Sequence, residues 1–255
     1  MAISVAGLSK SFSAPILGRR VPVLDCINLE VTEGRIVALF GPNGSGKTTL
    51  LNVISGIERA EAGAVSISAE DDHRPVLEYV FQNFRDVLLP WESTLDNMGF
   101  GLRARGATRS AARERARCFL DSVGLELPWR NYPYQISVGQ QQMVVLARAL
   151  IQSPSNILLD EPFSALDHEI RFRMQDVVVS TTVAQRLAVL LVSHDIDEAL
   201  YLGDELILLS KRPGSIVRRF TVPFPRPRTH ALLTSTEFSA LRREVLSAFL
   251  TELRP

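Results

Sequence analysis

Hydrophobic positions divide the chain into short apolar runs separated by polar turns, and the runs alternate between strand and helix patterning. Ile3 to Leu8, Val21 to Val31 and Ile36 to Phe40 read as strands, with turns at Gly18 and Glu33-Gly34. A helical run from Thr48 to Ile57 follows, then strands over Ala64 to Ser68 and Val76 to Phe81, separated by the polar turn Glu70-Asp71-Asp72-His73. Residues Ser93 to Val123 take helical spacing, as do Met143 to Gln152 and a segment of about 20 residues opened by Ser164-Ala165-Leu166-Asp167. Between and after these lie the apolar runs Ile157-Leu158-Leu159 and Leu187 to Val192, the strands Glu205 to Leu209 and Ile216 to Val222, and a helix from Glu237 to Leu253. Strands alternating with helices predict an α/β protein with a buried parallel sheet.

Composition narrows this picture. The chain has 255 residues, 46% of them hydrophobic, enough for one large core or two modest ones. Its 28 Lys and Arg balance its 28 Asp and Glu, so a basic footprint for nucleic acid is missing at the level of the whole chain. The longest apolar runs fall far short of the roughly 20 residues that span a bilayer. The start of the chain lacks the pattern of a secretory signal. Cys26 and Cys118 sit in no metal or redox spacing and read as packed thiols in a reducing compartment.

The strongest chemical signal is Gly41-Pro42-Asn43-Gly44-Ser45-Gly46-Lys47-Thr48-Thr49. Gly41, Gly46, Lys47 and Thr48 fit the spacing Gly-x-x-x-x-Gly-Lys-[Ser/Thr], with a strand-like run before and a helical run after. Glycines there let backbone N–H groups close on a polyphosphate while the helix start adds its positive dipole end. Lys47, one of only three lysines, would reach the β- and γ-phosphates, and the Thr48 hydroxyl would hold Mg²⁺.

Other segments carry weaker signals. Phe12 follows the first predicted strand and suits either stacking on a purine or packing in the core. The apolar cluster Val87-Leu88-Leu89-Pro90-Trp91 is tucked into the core or forms an exposed groove for a partner. Arg103, Arg105, Arg109, Arg113, Arg115 and Arg117 lie on a helical stretch, where Glu114 and Asp121 favour a solvated face over an RNA-binding patch. Ser137-Val138-Gly139 precedes a helix and offers a second anion-binding turn. An apolar strand delivers Asp160-Glu161-Pro162, two adjacent carboxylates suited to a metal ligand followed by a base. His194 follows another strand, at the end where parallel α/β sheets hold ligands, although a lone histidine is more often structural.

The phosphate loop, Gln82, Ser-Val-Gly-Gln, Leu-Leu-Asp-Glu, Ser-Ala-Leu-Asp and His194, in that order, resemble the ATP-binding subunit of an ABC transporter over about residues 3 to 220. The resemblance implies a P-loop NTPase (RecA-like) α/β core with an antiparallel β subdomain and an inserted α-helical subdomain. It divides the chain into an ATPase domain over 1–222, with the helical subdomain at about 83–152, and a C-terminal tail with a short helix over 223–255. That tail is too short for the large regulatory domain of some sugar importers. The cofactors implied are ATP and Mg²⁺. Phe12 would stack on adenine, residues Gly41 to Thr49 would cradle the phosphates, and Gln82 would contact Mg²⁺ and water. Asp160 would be the Mg²⁺-linked carboxylate, Glu161 the general base and His194 the γ-phosphate contact. Ser137, Gly139 and Gln140 would complete a site on the opposite subunit.

Two departures stand out: Val138 replaces the first glycine of the family's Ser-Gly-Gly, and Met143 stands where the family tends to have arginine. Leu88-Leu89-Pro90-Trp91 and Arg212-Pro213-Gly214 resemble the branch importing nitrate, sulfonates, taurine and bicarbonate. That branch implies a homodimer, integral membrane permease subunits, an extracytoplasmic solute-binding protein as an indirect partner, no nucleic acid, and a peripheral place at the cytoplasmic face of the membrane. The competing readings are a soluble ABC ATPase acting on DNA or ribosomes, and a P-loop kinase or GTPase. The kinase reading leaves Ser137 to Gln142 and the Asp160-Glu161 pair without a role.

Overall fold

A computed structural model describes residues 2–14, 19–69 and 74–253. The expected turns at Gly18 and at Glu70 to His73 lie outside the described residues.

Three strands form a small antiparallel sheet, β1 (Ile3–Ala14), β2 (Arg19–Val31) and β4 (Ala62–Ile67), in the order β2-β1-β4. Strand β1 runs past the predicted end at Leu8 because register shifts between Val5 and Ser11 absorb the break in alternation, with Gly7 at φ 59°. Phe12 therefore lies within β1, opposite Val21, rather than after the strand.

The second sheet has six strands: β3 (Ile36–Phe40), β5 (Leu77–Val80), β6 (Asn156–Asp160), β7 (Ala188–Val192), β8 (Glu205–Leu209) and β9 (Ile216–Thr221), in the order β5-β6-β7-β3-β8-β9. All neighbouring pairs are parallel except β8 with the edge strand β9. Strands β3, β6 and β7 are buried at every position, which explains the unbroken apolar sequence of β3 and β7 and the apolar centre Ile157 to Leu159 of β6. Their side chains alternate between two cores. Ile157, Leu159, Val189 and Leu191 join a core with the helices on one face. Leu158, Leu190 and Val192 pack on the other, with Ile3, Leu29, Leu50 and Leu51. Each such Leu contributes roughly 1.5–3 kcal/mol by leaving water.

The helices are α1 (Lys47–Ile54), α2 (Thr94–Met98), α3 (Phe100–Ala104), α4 (Arg109–Val123), α5 (Val138–Leu150), α6 (His168–Gln185), α7 (Ile196–Leu202) and α8 (Thr236–Glu252). Helices α2 to α5 all fall between β5 and β6. The helical stretch expected from Ser93 to Val123 is three helices. Gly99 separates the first two, and Gly106 at φ 96° breaks the chain before Thr108 caps α4 through a 3.2 Å bond from Ala111 N.

The arginines expected on a solvated face do structural work. Asp96, 2% exposed, accepts paired bonds from Arg109 and Arg113 at 2.7–2.9 Å and one from Ser93 Oγ at 2.7 Å. Hydrogen bonds from both guanidinium groups outweigh the burial penalty and hold the Asp96 carboxyl below its ordinary range. The short helix α2, too small to fold alone, is thereby tied to α4. Arg148, on α5, bonds Asn97 O and Oδ1 and Val87 O at 2.7–2.9 Å, while Met143 is simply buried in the core.

The tail after Val222 also packs into the fold. Phe238 and Val245 of α8 are buried with Phe40, Leu200 and Leu206.

Candidate functional site

The site sits at the carboxyl edge of the large sheet. Asp160 on β6 is level with Val192 on β7, and Val192 is level with Leu39 on β3. That register brings Glu161, Ser193-His194 and Phe40-Gly41 to one edge, as expected for a ligand site in a parallel sheet.

The phosphate loop leaves β3 at Gly41 and enters α1 through Gly46, whose φ is 90°. A Cβ at Gly46 would meet Leu24 Cδ2 at 2.7 Å and Val23 O at 3.1 Å, so this position admits only glycine on both conformational and steric grounds. No side chain caps α1. Its first N–H groups therefore stay available to an anion.

Lys47 is only 8% exposed, and its ammonium donates to Gly41 O at 2.9 Å, Pro42 O at 3.0 Å and Ser45 Oγ at 3.4 Å. Burial lowers its pKa, against the opposing pull of Glu161 and Asp160. The Thr48 hydroxyl donates to Asp160 Oδ2 at 2.8 Å. Burial, aided by Glu161, raises the Asp160 pKa, and Thr48 and Lys47 oppose the rise. A buried lysine sharing a site with two carboxylates is a charge arrangement suited to a polyphosphate with a divalent cation.

Glu161 adopts φ 50°, an uncommon left-handed conformation for a non-glycine residue. Four bonds fix it there: its N–H donates to Val192 O at 3.0 Å, while its carbonyl accepts from Gln142 Nε2 at 3.2 Å, Ser164 Oγ at 3.1 Å and Ser164 N at 3.3 Å. Local strain held by surrounding bonds is a feature of functional sites. The result aims the Glu161 carboxylate at His194, with Oε2 3.3 Å from Nδ1.

The other expected residues divide. Phe12 is 37% exposed, its ring 4.8 Å from Lys10 Nζ, so the core reading fails and an open aromatic face remains. Gln82 is exposed just beyond β5. Trp91 is 72% exposed whereas Leu88 is buried, so the apolar cluster is split, with Pro90 and Trp91 outside.

Ser137 caps α5: its Oγ accepts from Gln140 N at 3.2 Å, and Gln140 Oε1 accepts from Ser137 N at 3.0 Å. Ser137 and Val138 are exposed. Gly139 faces Ala165, where a Cβ would lie 3.2 Å from its carbonyl oxygen. Among the described residues, no hydrogen bond or ion pair joins the segment Ser137 to Gln140 to the loop Gly41 to Thr49.

Gln142 was not singled out in the sequence. It bonds Glu161 O and accepts from Ala165 N at 2.8 Å, bridging α5 to the loop after β6. Its signal is its place on the buried side of a helix whose other two glutamines point elsewhere.

The ABC transporter family model matches residues 24–164. An uncharacterised ABC transporter ATP-binding protein of Methanocaldococcus jannaschii is 38% identical over 98% of this chain and 92% of that protein. The taurine import ATP-binding protein TauB of Chromobacterium violaceum is 40% identical over 90% of each. Among solved structures, a dimeric bacterial ABC transporter cassette superposes with TM-score 0.76 at 29% identity, covering 88% of this chain and all of the other. A dimeric post-hydrolysis state of such a cassette, bound to ADP and Pi, superposes with TM-score 0.75 at the same identity. The family match covers more than half of the chain and the relatives cover nearly all of it: this protein belongs to the ABC transporter ATP-binding family.

Proposed function

We propose that this chain hydrolyses ATP as one of a pair of identical subunits and drives import of a small anionic solute, with taurine or another sulfonate first in line, through a separate membrane permease. The 40% identity to a taurine import ATP-binding protein supports the solute class, and the open Trp91 supports a docked permease. A balanced charge offers no support for a nucleic-acid partner. No helix among the described residues is long and apolar enough to cross a membrane. In this reading the helical subdomain at 83–152 is the part nearest the permease, and the chain rests at the membrane's cytoplasmic face.

One observation carries the hydrolytic reading: a single strand end delivers Asp160 to Thr48 and Glu161 to His194. Thr48 and Asp160, with Gln82, would hold Mg²⁺. Among the described residues no group of three or more His, Cys, Asp or Glu forms a metal cage. That fits an ion which takes few protein ligands and completes its shell with phosphates and water. When bound, the ion would supply charge neutralisation for the phosphates. Lys47 exchanges its loop carbonyls for phosphate oxygens, and the N–H groups of Asn43 to Thr49 complete the cradle. Glu161 accepts the proton of the attacking water. His194 holds the γ-phosphate end and steadies the Glu161 carboxylate, and Phe12 offers its ring to the adenine.

Glu161→Gln is expected to lower ATP turnover by roughly 10² to 10⁴ with nucleotide affinity retained. Steady-state hydrolysis and equilibrium nucleotide binding on the same preparation check this, and near-normal turnover removes Glu161 from the role of base.

A further inference from the structure

The segment after β9 clamps α7, the short helix that begins just after His194. At its carboxyl end, Arg228 NH1 donates to Leu200 O, Tyr201 O and Gly203 O at 3.2, 2.7 and 2.8 Å, and Arg226 NH2 donates to Leu202 O. These are the carbonyls a helix end leaves unpaired. At the other end, Arg242 of α8 places Nε 2.7 Å from Asp197 Oδ1. The Asp195 side chain caps the same turn, accepting from Asp197 N at 2.8 Å and Glu198 N at 3.3 Å. His194 is the preceding residue.

Arg242 forms an ion pair with Asp197, and the carboxylates of Asp195 and Asp197 both lie in this one turn. Burial raises the Asp197 pKa, Arg242 opposes the rise and Asp195 adds to it. Helix α8 is fixed to the same edge of the sheet by Phe249, whose ring centroid lies 5.0 Å from that of Phe40, the residue before Gly41. Between these anchors lies a cavity of about 790 Å³, bounded on one side by Gly41, Asn43 and His194 and on the other by Arg242 and Phe249. Space beside His194 means that packing alone does not hold its loop.

We infer that Arg242 is a positioning residue for ATP hydrolysis: through Asp197 it fixes the first turn of α7 and with it the place of His194 against Glu161. The inference rests on the proposed roles of His194 and Glu161. Losing the guanidinium removes the ion-pair partner of Asp197, leaving Lys211 across the cavity as the remaining cation of its lining, and loosens the turn towards the cavity. A misplacement of about 1 Å at a catalytic contact costs about 10²-fold in rate, and a smaller drift, with Asp195 still capping the turn, costs correspondingly less.

The test is a double-mutant cycle on the full chain, read by kcat and KM for ATP. Wild-type hydrolysis that Glu161→Gln abolishes must come first, because its absence would defeat the proposed function rather than this inference. Arg242→Ala is expected to lower kcat about tenfold with KM within about twofold, and Arg242→Lys to recover at least half of the loss. Asp197→Asn should reproduce the Ala effect, and it serves as the working variant if Arg242→Ala folds poorly. His194→Ala combined with either variant should be no slower than His194→Ala alone. Effects that multiply, a change confined to KM, or no change in kcat would each overturn the inference.

Discussion

Two turns at helix starts make opposite use of the same backbone. The loop before α1 leaves its N–H groups uncapped and turns them inward, with Lys47 already bridging Gly41 O and Pro42 O. The turn before α5 closes its N–H groups on its own side chains, through Ser137 and Gln140, and faces outward. The first is a cradle complete within one chain. The second is rigid, exposed and joined to nothing in the phosphate loop among the described residues. A capped turn kept rigid at the surface makes physical sense if another surface closes on it. Solved dimeric cassettes with the same fold make a second copy of the chain the natural candidate.

The sharpest way to break that contrast is Ser137→Arg, which gives up the Oγ cap of α5 at a cost of about 1 kcal/mol and fills the exposed turn with a long cation. Turnover is expected to fall by about 10²-fold or more while the isolated chain binds nucleotide normally, since only the outward turn is altered. Loss of nucleotide affinity in the isolated chain would place Ser137 in the same cradle as Lys47, and a binding titration distinguishes the two.

A smaller effect is expected at the third exposed feature, Trp91. Trp91→Ala should weaken association with the membrane subunits about tenfold or more and leave ATP affinity unchanged, as for an aromatic anchor in an interface. Pull-down from solubilised membranes alongside a nucleotide titration measures both. A variant that melts several degrees lower and docks normally would return Trp91 to a structural role.

The smallest effect sharpens the comparison at another helix start, α7, which is capped by the carboxylate of Asp195. Burial pushes Glu198, one turn on, up to about 7. In the unfolded chain it titrates near the ordinary glutamate value of about 4.3. Between those values the folded state binds more protons, so stability falls as pH rises through this window and levels above it. Glu198→Gln should remove that slope and stabilise the protein above pH 7 by on the order of 1–3 kcal/mol. Denaturant melts at pH 5 and pH 8 check it, and identical slopes in wild type and variant would contradict it.

Much of this was legible in the chain. Apolar runs located β3, β6, β7 and β8 because strands buried on both faces have no polar side to confuse the pattern. The glycine spacing located the phosphate loop because close backbone approach leaves no substitute at Gly46. What escaped depends on partners distant in sequence. Asp96 and its arginines lie 13 and 17 residues apart on separate helices, and nothing local distinguishes such a pair from solvated charge. The pattern puts Phe12 after its strand because bulges disrupt the alternation that marks strands. The clamp on α7 joins Arg228 to carbonyls 25 to 28 residues earlier, beyond any periodic signal.

The central claim, that each ATP lies between the inward turn of one chain and the outward turn of another, is tested most directly by mixing two inactive variants, Lys47→Ala and Ser137→Arg. If the site is shared, a mixed pair carries both lesions in one site and leaves the other fully wild type. Nucleotide trapping should then return at one site per mixed pair, with subunit exchange followed by differential tags. If each site belongs to one chain, both sites of the mixed pair are damaged, and confirmed exchange with no recovery of trapping would contradict the account.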